Sequence, residues 1–183
     1  MSKILQGVRP SDYVLAAVMT VAGVFLMYMN TAAADDATLA HPISTTSWLI
    51  LPAFVLVTLP ILWRRRNILA VIGVTIAASA LHVLAFGWLT RCGVALPLSA
   101  ALAYAVARFA GGMRNQLIGI AGIIVLQVVV LFQDASIGEI PSGLVLALPL
   151  GALFYGIGWF VQNRSTSKRE QSVVAPVAQR TAA

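Results

Sequence analysis

Apolar residues fall into six runs separated by short polar breaks: about Tyr13–Met29, Trp48–Trp63, Ile68–Leu89, Val94–Ala110, Leu117–Phe132 and Gly143–Val161. A helix needs about 20 predominantly apolar residues to cross a hydrocarbon core, and the runs approach that length. The pattern predicts an all-α fold, a polytopic membrane bundle of about six transmembrane helices. A head at 1–12, a transmembrane domain at 13–161 and a polar tail at 162–183 make up the chain. Pro52 and Pro60 remove backbone donors from the second run and predict a kink there. Only Thr90, Arg91, Cys92 and Gly93 part the third run from the fourth, so those two are expected to form a tight hairpin. The tail is rich in small and polar residues and holds Pro176, which predicts disorder beyond its first turn or two.

Positive charge sets the expected orientation, because loops rich in Lys and Arg stay in the cytoplasm. With the N-terminus inside, 11 of the 12 basic residues fall on the inner side, among them the topology-determining Arg64, Arg65, Arg66 and Arg114. Arg91 alone lies outside. The outer loops carry Asp35, Asp36, Asp134 and Glu139 instead, and both termini are expected inside a cell membrane crossed several times. Tyr28, Trp48 and Trp88 then fall at the outer interface, with Tyr13, Trp63 and Trp159 at the inner one. A rival reading makes the first run a cleaved secretory signal ending at Ala32-Ala33-Ala34, but about 17 apolar residues exceed the usual signal core. Cleavage would leave five spans with the same orientation.

Composition agrees with this picture. Of 183 residues, 60% are hydrophobic and 10% charged, less than half the charged share of a soluble domain. The formal charge of +6 sits in short clusters between apolar runs and does not point to nucleic acid. Cys92 is the single cysteine, which excludes an intrachain disulfide.

Four polar residues inside the runs are candidates for function. His82, in the outer half of the third run, either titrates at that depth or hydrogen-bonds a neighbouring helix. Tyr104 and Arg108 share a face of the fourth run, and Arg108 either snorkels to inner headgroups or bonds across the bundle. Gln127 is the amide well inside the fifth run and is expected to join helices. Ala103, Ala107 and Gly111, with Gly119 and Gly122, offer small faces for close helix approach. His41 with Asp35, Asp36 and His82 makes only a weak metal-ligand pattern, and Asp134 and Glu139 read as solvated charges. No metal or cofactor is expected. Catalytic motifs such as H-E-x-x-H and G-x-S-x-G are absent, and no acidic pair occurs within a run to couple ion transport.

Thr58-Leu-Pro-Ile-Leu-Trp-Arg-Arg-Arg-Asn-Ile-Leu-Ala-Val71 and Leu96-Pro-Leu-Ser-Ala-Ala-Leu-Ala-Tyr-Ala-Val-Ala-Arg108 resemble landmarks of the membrane-sensing domains of bacterial two-component sensor histidine kinases. The resemblance covers about residues 10 to 165. In that family the last helix leads to a dimerisation helix with a phospho-accepting histidine and then an ATP-binding domain, and this sequence has neither. Neither His41 nor His82 can play that role. The resemblance therefore implies a stand-alone membrane module, or a chain ending before the kinase core, without ATP-dependent activity. The expected function is non-enzymatic: a sensory or regulatory membrane protein that acts through helix contacts. Its partners are then bilayer lipid and either a membrane or signalling protein or a second copy of the chain. A small transporter or channel component is the alternative.

Overall fold

Each polar break ends one helix and starts the next. The computed structural model describes residues 7–33 and 38–181, with side chains through residue 166. The helices are α1 (Pro10–Ala32), α2 (Ile50–Thr58), which passes directly into a 3₁₀ helix (Leu59–Trp63), α3 (Ile68–Phe86), α4 (Cys92–Phe109), α5 (Met113–Leu131) and α6 (Ile140–Thr181). Five are long and apolar enough to cross a membrane, and Ile50–Trp63 is a shorter apolar helix. The protein is a multi-pass membrane bundle.

Local chemistry explains the breaks. Pro60 has no N–H to give the carbonyl four residues back, and there the α-helical winding tightens to 3₁₀, which realises the irregularity expected of the second run. Asn67 caps α3 by accepting from the Ala70 N–H at 3.1 Å. Gly87 stops α3 three residues short of the predicted end. Its φ of +63° suits glycine, and a Cβ there would lie 2.8 Å from Ser44 Oγ. Gly111, expected on a helix face, follows α4 at φ +75° instead.

α4 is the hub, with 56% of its span buried against 22% for α1 and 11% for α6. It packs most extensively on α6, while α3 packs on α5 and α1 on α2. The expected α3–α4 hairpin is thus corrected: the connection is short, but the two helices meet only sparsely and separate to different neighbours. Small residues set the close approaches. A Cβ on Gly119 would meet Val106 of α4 at 2.7 Å, and one on Gly122 would meet Ile72 of α3 at 2.7 Å. On α6, a Cβ at Gly158 would lie 2.6 Å from the Tyr104 carbonyl and 3.0 Å from Ala107. α6 then continues as one helix to Thr181, through the stretch whose composition predicts disorder. Extension of a formed helix avoids the cost of nucleating a new one.

Candidate functional site

Among the described residues, the buried Asp and Arg side chains gather at the two ends of the bundle, with Thr75, Ser79, Ser99 and Gln127 buried between them. At the end where α1 begins, Asp12 is fully buried. Its carboxylate accepts the Arg9 N–H at 3.0 Å and so satisfies a free donor at the α1 N-terminus. Arg64 Nε lies 2.9 Å from the same carboxylate, and Arg65 Nε lies 2.8 Å from its second oxygen. Arg65 also stacks over the Phe109 ring at 4.9 Å. Two of the arginines singled out as topology signals are therefore held by a carboxylate, whereas Arg66 and Arg114 are exposed.

The opposite end is built around Arg91, which is 1% exposed. Its guanidinium donates to the carbonyls of Gly87 at 2.7 Å, Gln133 at 2.8 Å and Leu89 at 3.4 Å. Gly87 closes α3 and Gln133 follows α5, so the cation sits where two helices end in carbonyls without intrahelical partners and in partial negative charge; the Gln133 carbonyl also accepts the Leu89 N–H at 3.3 Å. Its Nε donates to His82 Nδ1 at 3.2 Å. That bond makes Nδ1 an acceptor and leaves the proton on Nε2, which lies 3.4 Å from the Ile50 carbonyl. Burial draws the Arg91 guanidinium down to about 10, opposed by the nearby Asp134 carboxylate, and it remains a cation at neutral pH.

Asp134 is fully buried, which corrects its reading as a solvated charge; Glu139 is exposed as expected. The Asp134 carboxylate accepts the N–H groups of Arg91 at 2.7 Å and Cys92 at 2.6 Å, capping α4 from a distant loop. It also accepts from Ser136 Oγ at 2.6 Å. Asn30 of α1 joins the same end by a reciprocal pair with Thr90, 2.9 Å to its carbonyl and 2.8 Å from its N–H. His41 stacks on Trp88 at 4.0 Å between centroids, and Asp35 and Asp36 lie outside the described residues. Among the described residues no group of three His, Cys, Asp or Glu side chains is placed to hold a metal.

The remaining candidates separate. Arg108 donates to Tyr104 Oη at 2.7 Å on its own helix, so that pair does not bridge the bundle. Gln127, 2% exposed, does bridge it: Nε2 donates to the Ala95 carbonyl at 3.2 Å and to the Ser99 hydroxyl of α4. Gln127 also lines a cleft of about 370 Å³ among α4, α5 and α6.

His82 and Gln127 were thus found from the sequence, but in separate places, and the organising residues Arg91 and Asp134 were not. One signal was available: Arg91 is the single basic residue that breaks the charge asymmetry, and an exception of that kind asks for a local counter-group. Chemically the Arg91 assembly binds helix ends together, since the His82 lone pair and the guanidinium donors are already engaged. No protein family, curated protein or solved structure matches the chain.

Proposed function

We propose that this protein is a non-enzymatic sensory or regulatory module of the cytoplasmic membrane, with both termini inside, that acts on a partner through helix contacts. The observation that carries the reading is α6, one 42-residue helix that starts in the bundle and continues through the polar tail to Thr181. At Gly158 it is seated almost backbone to backbone on α4. Packed helices respond to a shift as rigid bodies, so a displacement of α4 would reach the far end of α6. The likeness to kinase membrane-sensing domains points the same way, because there the last helix carries the output. Against the transporter alternative stands the placement of buried Asp and Arg side chains, which are engaged at the bundle ends and do not form a relay at mid-depth.

Purification from native membranes in mild detergent is expected to recover a second membrane or signalling protein at a fixed ratio. Truncation after Lys168 should leave the bundle folded, since it removes no apolar span, and weaken that association. Solute flux by the purified protein alone in liposomes, with no partner recovered, would overturn the regulatory reading in favour of transport.

A further inference from the structure

We propose that the groove between the α2–3₁₀ unit and α3 is a binding site for one anionic phospholipid, its headgroup held at Arg66 and one acyl chain laid along α3. This stands independently of the regulatory reading.

The groove follows from the residues that line it. Winding tightens to 3₁₀ over Leu59–Trp63, and α3 offers the small side chains of Ala70 and Ala77 to the same space. Two open hollows result, of about 400 Å³ and about 650 Å³, and Pro60, Trp63 and Val74 line both, so they form one continuous groove. It runs from Arg66 and Asn67, just before α3, to Phe86 at its end, and the 19 residues of that helix rise about 28 Å. Val74 and Leu81 line it while remaining 54% and 68% exposed, so it opens sideways along its length.

Charge marks one end of this groove. Arg66 and Asn67 are both exposed there, and no carboxylate lines either hollow. Asn67 Oδ1 accepts the Ala70 N–H, so what Asn67 offers a headgroup is its amide N–H pair. Arg64 and Arg65 share the buried Asp12 carboxylate, which offsets only one charge of the three consecutive arginines. The remaining positive charge selects an anion and disfavours a headgroup that ends in a cation. A guanidinium holds phosphate oxygens through paired N–H donors. A small free anion would leave the apolar length of the groove uncovered, whereas a phospholipid fills both parts. With a hydrocarbon core of about 30 Å, one leaflet's chain reaches about 15 Å, and Val74 lies about 10 Å along α3 from Asn67. A chain anchored at Arg66 therefore passes Val74 and enters the second hollow.

Phosphatidylglycerol and phosphatidylcholine carrying the same diazirine-bearing acyl chain are the probes, on the full chain in phosphatidylcholine nanodiscs with crosslinks mapped by mass spectrometry. Phosphatidylglycerol is expected to label Ala70 and Val74 at least about fivefold more than phosphatidylcholine, the ratio that one arginine at a membrane surface supplies. Val18 and Val21, exposed on α1 away from the groove, should show no such preference. Arg66→Gln should erase the preference at Val74. Arg114→Gln, which removes an exposed arginine outside the groove, should leave it intact. Ala70→Trp should lower labelling of Val74 by both lipids by filling the first hollow, and it keeps the test decisive should Arg66→Gln fail to fold. Equal labelling by the two lipids or a preference shared by α1 would overturn the site. So would a preference that survives Arg66→Gln, one lost equally with Arg114→Gln, or labelling unchanged by Ala70→Trp.

Discussion

Arginines with the same formal charge play unequal parts in this chain, and their neighbours decide which. Arg91→Met would strand the Gly87 carbonyl and the His82 lone pair and leave the Gln133 carbonyl with the Leu89 N–H as donor, and is expected to cost about 3 kcal/mol of stability. Arg108→Met removes a half-exposed bond within one helix and should cost under about 1 kcal/mol. Chemical unfolding in detergent measures both, and equal losses would contradict the assignment of Arg91 as the organising cation. Asp12→Asn should cost roughly 3 kcal/mol, the low end for a broken buried pair, because the Arg65 side chain keeps 21% exposure. Adding Arg64→Gln to Asp12→Asn should recover part of that loss in the same assay. Sequence pattern reached Gln127 and His82 because a polar residue inside an apolar run is conspicuous. It missed Arg91 and Asp134 because both lie in breaks, where charge is the default, and 43 positions separate the Arg91 N–H from its acceptor.

At the scale of helices, glycine spacing carries much of the packing. Gly158→Ala presses a methyl group against the Tyr104 carbonyl, and overpacking of this kind should destabilise by about 1–3 kcal/mol. Gly156→Ala, two residues earlier, meets nothing within 4 Å and should be neutral or gain up to about 1 kcal/mol from helix propensity. A comparable loss at both positions would show that α6 is not seated as described. All six helices were evident from hydropathy; the start of α3 behind its Asn67 cap fell where expected, Gly87 ends α3 three residues early, and α6 runs on from Val161 to Thr181. Which helix touches which was not evident. Chain order favours α3 against α4, but Gly119 and Gly122 leave room on α5 for α4 and α3, and small-residue contacts of that kind prevail over proximity in sequence.

For the whole molecule, orientation is the quantity that charge predicts most directly. In a Cys92→Ser background, Ser136→Cys should react with an impermeant thiol reagent from outside intact cells, and Ser167→Cys only after lysis. Labelling of Ser167→Cys in intact cells would invert the proposed topology. The short α2 unit has a consequence of its own for the surrounding lipid. Nine α-helical and five 3₁₀ residues rise to about 24 Å, against a hydrocarbon core of about 30 Å. In the proposed six-span topology that shortfall is met on one flank of the bundle by local thinning, by snorkelling of flanking side chains or by a neighbouring protein, while the longer α1 and α6 take the full depth. Such one-sided mismatch costs a fraction of a kcal/mol per Å, and it biases the protein toward thinner membranes or toward neighbours that cover that flank.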